Sequence, residues 1–261
     1  MSGPLDGVNA KLDRAEKHFK TAKAMVDAYF AQDFDPVTVD FNTEKEVWYG
    51  LQVIPTPDIQ IQAVVGDCIH NLRSALDHLA NRLVELYGGE PTKETAFPAL
   101  KVAPTATKAG QSRLPHIAGL DQTKAGQVLT IINNQQPYTF GEDFESHPLW
   151  ILNELWLQDK HRSLIQSPIW MLNTEFHISV GMDGWTPAIF TGVFRKRTVS
   201  NEGAVFDFIP DDENVDVNGE ATLAIAIGKG LPCKGQPVVT VLENLGRYVR
   251  DHLVVPLSGF F

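Results

Sequence analysis

Residues 66–83 read GDCIHNLRSALDHLANRL, and the character of this stretch decides the fold. With its flanks it places Val65, Ile69, Leu72, Leu76, Leu79, Leu83 and Leu86 at alternating steps of four and three, the seam of a long amphipathic helix. Asp67, His70, Asn71, Arg73, Ser74, Asp77, His78, Asn81 and Arg82 fall on the opposite arc. A helix face that only meets water is usually rich in Lys and Glu, which have good helix propensity. This face uses two His, two Asn, two Asp and a Ser. Short polar groups of fixed geometry suit a hydrogen-bonded cleft.

Working outward, Leu5, Val8, Leu12, Ala15, Phe19, Ala22, Val26 and Tyr29 repeat the heptad-like spacing, so a second long helix precedes the first and packs along it. Between them residues 36–54 change to a period of two around the turn Asn42-Thr43-Glu44-Lys45, which predicts a β-hairpin. Pro55 and Pro57 break the chain before the central helix, and Gly88-Gly89 cap its end. Residues 90–119 read as a long surface loop anchored by Phe97 and Leu100, long enough to act as a lid. Asp121 is placed to cap a helix over 122–133, and Ser146-His147-Pro148 open a fourth helix.

After about residue 172 the period becomes two again, at Phe176/Ile178/Val180, Phe190/Gly192/Phe194, Ala204/Phe206/Phe208 and Ala221/Leu223/Ile225/Ile227. This predicts antiparallel strands over 171–236 with one face buried. A last helix covers 237–258, and the chain ends on the apolar Gly259-Phe260-Phe261. The expectation is one α+β domain over 1–261: a long-helix bundle packed with an antiparallel β-sheet, residues 1–170 mainly helical with the hairpin at 36–54.

The composition limits the function classes. With 22 Lys+Arg against 32 Asp+Glu in 261 residues the net charge is −10, which disfavours long nucleic acids and anionic membranes as principal partners. Two cysteines, Cys68 and Cys233, make no disulfide framework and point to a reducing cytoplasm. The N-terminus has no apolar secretory core, and no apolar run reaches the length of a membrane span.

The fourth helix, HPLWILNELWLQDKHRSLIQ at 147–166, has Leu149, Trp150, Ile151, Leu152, Leu155, Trp156 and Leu157 in every direction, so its first turns are expected to be buried all round. Two turns apart, Asn153 and Lys160 share one direction, as do Glu154 and His161. Facing the central helix, it would close a cleft holding His70, Asn71, Arg73, Asp77, His78, Asn153, Lys160 and His161. In that cleft His70 and His78 are acid/base candidates, Asp77 an orienting carboxylate and Arg73 a cation for an anionic group, with Asn71, Asn153, Lys160 and His161 as ligand-binding groups. No P-loop, Rossmann glycine pattern or nucleophile elbow is present, and no cofactor is implied.

The strings GDCIHNLRSALDHLA and LNELWLQDKHR, with Phe97-Pro98 between them, resemble a widespread group of bacterial proteins common in actinobacteria, a likeness that brings no activity with it. Arg73-Ser-Ala-Leu-Asp-His78 also resembles the R-x4-H motif of HEPN domains, helical modules that often cleave RNA without a metal when two copies meet. That resemblance implies Arg73 on the scissile phosphate and His78 assisting proton transfer at the ribose 2′-hydroxyl. Arg247-Tyr-Val-Arg-Asp-His252 has the same form. Two further readings stay open beside a HEPN-like ribonuclease. One is a non-catalytic ligand-binding or assembly module, a homodimer taking RNA, a partner or a small anion. The other is a metal-dependent hydrolase with His70, Asp77, His78, Asp159 and His161 as N/O ligands.

Overall fold

The computed structural model describes residues 3–32, 38–42, 47–52, 57–104, 125–161, 169–179, 195–200, 203–208, 216–228 and 230–261, the strands through Leu223 and residues 160–161 by their backbone. The chain forms two compact units. One comprises Met1–Met25, Ile59–Gln166 and Ile227–Phe261, the other Val26–Asp58 and Ser167–Ala226.

The first unit is a helical bundle of α1 (Asp6–Phe30, through Met25), α2 (Ile59–Leu86), α3 (Gly126–Asn134), α4 (Pro148–His161), α5 (Val238–Tyr248) and the short α6 (Val255–Ser258). A 3₁₀ segment, Pro137–Ser146, precedes α4, and a π-helical turn, Val249–Val254, joins α5 to α6. Most of each seam is buried, with Val8, Leu12, Ala15 and Ala22 of α1 and Val65, Ile69, Leu72, Leu76, Leu79 and Leu83 of α2 in the core, while Leu86 at the end of α2 is exposed and Leu5 and Phe19 of α1 are half-buried. From Leu149 to Asp159 no residue of α4 is exposed, as its all-round apolar sequence requires. At the end of α2, Gly88 takes φ +78°, Gly89 N–H reaches Val84 O (2.9 Å) and Gly88 N–H reaches Glu85 O (3.0 Å), a Schellman cap.

The second unit holds β1 (Thr38–Asn42), β2 (Val47–Gln52), β3 (Ile169–Ser179), β4 (Arg195–Ser200), β5 (Gly203–Phe208) and β6 (Asp216–Ile225). Their backbones pair antiparallel in the orders β1-β2-β5-β4 and β3-β6.

The expected α+β class, a bundle sharing one core with an antiparallel sheet, is therefore corrected. The part of the chain whose side chains are placed is about 70 % helical and forms a helical bundle without a sheet in it. The physical reason is that the apolar residues of α1, α2 and α5 and the apolar circumference of α4 are buried within the helical unit. The Asp121 cap and the strand expected at Phe190–Phe194 lie outside the described residues.

His147 shows how α4 is started. Its Nδ1 accepts the Leu149 N–H (3.1 Å) and its carbonyl accepts the Ile151 N–H (3.0 Å), so an imidazole stands where Ser or Asp usually caps a helix. The ring is buried, edge-on to Phe140 and Tyr248. Burial lowers its pKa to about 4, and protonation would also replace the acceptor that caps the helix. Because the folded pKa lies below the unfolded one, stability is complete above about pH 6.5 and is lost as pH falls towards 4. We expect the unfolding midpoint in denaturant to fall across that window, on the order of 2–3 kcal/mol in total. His147→Asn, which keeps a capping oxygen, should flatten this pH dependence at a cost of about 1 kcal/mol at pH 7.

Candidate functional site

Arg73 and Asp77 are one turn apart on α2 and act together. Arg73 Nη2 lies 3.2 Å from Asp77 Oδ1. The same Nη2 donates to Phe97 O (2.8 Å), and the same Oδ1 accepts the Phe97 N–H (3.0 Å). The pair thus presents one donor and one acceptor to both backbone groups of a single residue. Arg73 is 5 % exposed and its guanidinium carbon lies 5.6 Å from the centre of the Trp156 ring on α4, a distance suited to a cation–π contact. Burial lowers the Arg73 pKa, and the Asp77 charge opposes that shift. Its Nε and Nη1 have no hydrogen-bond partner among the described residues.

The strap that follows is held from its other side by Gln136, which is fully buried. Gln136 Nε2 donates to Pro98 O (3.1 Å), its Oε1 accepts the Leu100 N–H (3.0 Å), and the Tyr138 N–H donates to Leu100 O (3.0 Å). Phe97 fills the core beneath, 1 % exposed. Residues 97–100 are therefore a pinned strap and not the mobile part of a lid; residues 105–119 of the expected loop are outside the described ones.

His78 is on the other side of the helix. It is exposed, and a Cβ placed on Gly7 of α1 would stand 2.9 Å from its Nδ1. Arg73 and His78 are therefore not brought together within one chain. His70 is exposed and its Nε2 lies 3.4 Å from Ser74 Oγ. Asn71 is buried but donates to Asp67 O (2.8 Å), and Asn81 likewise donates to Asp77 O (3.0 Å), so both asparagines serve their own helix. Asn153 is half-buried on α4. The side chains of Lys160 and His161 lie outside the described residues.

What α2 and α4 do assemble is a small acidic group. Asp159 packs against Gly66, where a Cβ would be 2.5 Å from Asp159 Oδ1. Burial raises the Asp159 pKa, the Asp67 charge raises it further and His70 opposes both. His18 of α1 reaches Asp67 at 3.9 Å. Gly66 is the one glycine in α2, and a glycine inside a helix costs about 1 kcal/mol relative to Ala. That cost was the sequence signal for a close approach at this point. Trp156 carried no such signal, since it read as core, and nothing in the sequence marked Gln136, just beyond the helix expected over 122–133.

Among the described residues no three His, Cys, Asp or Glu side chains are grouped to hold a metal. The proposed donors are divided: Asp77 serves the strap, His78 faces α1, and His70 stands with Asp159. Cys68 is no nucleophile, because burial and Glu16 push its thiol up to about 12 while it donates to Ala15 O (3.4 Å). No helix among the described residues is long and apolar enough to cross a membrane. No protein-family model, curated protein or solved structure matches the chain.

We expect Arg73→Ala to destabilise the protein by about 2–4 kcal/mol in denaturant unfolding, because it strands the Asp77 carboxylate and Phe97 O together. Asp77→Asn keeps an oxygen for the Phe97 N–H and should cost about 1 kcal/mol. Equal losses in the two variants would contradict the shared latch.

Proposed function

We propose that this protein is a non-catalytic recognition or assembly module of the cytoplasm, working as a homodimer. The observation that carries this reading is the commitment of Arg73. A ribonuclease of the HEPN kind needs its motif arginine on a phosphate, and here the guanidinium is buried on Phe97, Asp77 and Trp156. Its release would leave a carbonyl and a carboxylate without their partner.

The recognition surface on this reading is the acidic seam of Asp67, His70 and Asp159, beside His18. Two carboxylates between two histidines favour a basic or hydrogen-bond-donating group, where the sequence had suggested a small anion. The dimer is part of the proposal and is decided by sedimentation; the exposed apolar side chains Ile59, Val102 and Val255 lie on separate segments.

Purified protein incubated with structured and single-stranded RNA in EDTA is expected to leave both intact, and sedimentation is expected to show a dimer. EDTA-resistant cleavage that disappears in His78→Ala would overturn the reading in favour of a HEPN-like ribonuclease. Cleavage that EDTA abolishes would favour the metal-dependent alternative.

A further inference from the structure

A cavity of about 380 Å³ opens between α1, α2, α5 and the π-helical turn, away from the α2–α4 seam. The volume is in the range of small-molecule sites. Its base is apolar, formed by Leu12, Leu72 and Leu242. Around it stand Glu243, Arg247, Arg250 and Asp251 of α5 and the turn, and Glu16 of α1.

Two features of this wall bear on what it could hold, its charged residues on α5 and the turn being solvent-exposed. The first is the state of its charges. Glu243 and Arg247, and Arg247 and Asp251, have the four-residue spacing at which helix ion pairs close. Neither pair forms: Arg247 Nη2 turns to Asn244 Oδ1 (2.7 Å), and Glu243, Arg250 and Asp251 form no ion pair among the described residues. The π-helical turn that carries Arg250 and Asp251 widens the helix at this point, a distortion frequent at functional sites.

The second is Gly246, which lines the cavity as the one glycine of α5. At Gly66 a Cβ would strike Asp159, so packing explains that glycine. At Gly246 a Cβ would meet nothing within 4 Å. The helix carries the cost of a glycine where its neighbours have room for alanine, and the effect is to leave the cavity wall open.

We propose that this cavity binds a small zwitterion with an apolar body, the chemistry of an apolar α-amino acid. Its carboxylate meets Arg247 and Arg250, its ammonium group meets Glu243 or Asp251, Glu16 being paired with Lys20, and its side chain lies on Leu12, Leu72 and Leu242. Opposite charges on one wall over an apolar base fit a ligand carrying both signs better than a simple anion or cation. The site is independent of the seam's role, and its probes differ from those that test the seam.

The test is thermal unfolding of the full chain with L-leucine, isovalerate, isopentylamine and glycine. Leucine should give a saturable rise of roughly 2–4 °C at tenfold over its Kd, with isovalerate, isopentylamine and glycine at least tenfold weaker. Gly246→Ala should raise the ligand-free midpoint by roughly 2 °C through helix propensity and abolish the leucine shift. Arg250→Gln, an exposed change, should leave the midpoint in place and weaken leucine at least tenfold. An unsaturable or absent leucine effect, isovalerate binding as well as leucine, or a leucine shift that survives in Gly246→Ala would each overturn the proposal.

Discussion

A guanidinium inside a helical bundle is costly unless it is hydrogen-bonded, and Arg73 meets that cost through Nη2 alone, its Nε and Nη1 having no partner among the described residues. Its partners are a carboxylate one turn along the same helix and the backbone of Phe97, with the Trp156 ring of α4 as a third contact. α2, α4 and the strap at 97–100 are thereby tied at one residue. Gln136 completes the attachment by binding the strap at Pro98 and Leu100. The residue with most of the chemical promise in the sequence thus also ties the strap and α4 to α2.

The helices were legible because burial of a seam leaves a spacing that needs no knowledge of the partner. Val65 to Leu83 on α2, Val8 to Ala22 on α1 and the all-round apolar start of α4 each state how they pack, and Gly88-Gly89 state where α2 ends. That Arg73 faces α4 was legible from its polar arc, but its backbone partner was not, because a helical wheel cannot show which distant segment a side chain bonds. Only the tertiary contact with Phe97 converts that polar arc into buried surface. Alternating apolar residues announce a strand but not which core its face joins, and so an α+β class was expected where the part of the chain with placed side chains is a helical bundle.

The cleft inferred between α2 and α4 was partly legible. The two helices do meet, but the carboxylate that approaches His70 and Asp67 is Asp159, which helical angle alone puts outside the cleft; Asn71 and Asn81 bond their own helix carbonyls and His78 looks towards α1. Helical angle alone cannot separate a side chain that bonds its own turn from one that reaches across. The two interior glycines show what sequence can offer at such points. Gly66 and Gly246 both break helix propensity without ending a helix; one admits a carboxylate, and the other leaves space in front of a charged wall.

The central claim is that Phe97 is locked to α2 by Arg73 and Asp77, and it is tested most directly by native-state hydrogen exchange at the Phe97 amide. That N–H donates to Asp77 Oδ1 in the pinned strap, so it should exchange only through global unfolding, with the same opening free energy as core amides of α2 such as Leu79. Exchange at the rate of the exposed residues Thr92–Glu94 would show that the strap opens on its own, and that Arg73 is free for other work.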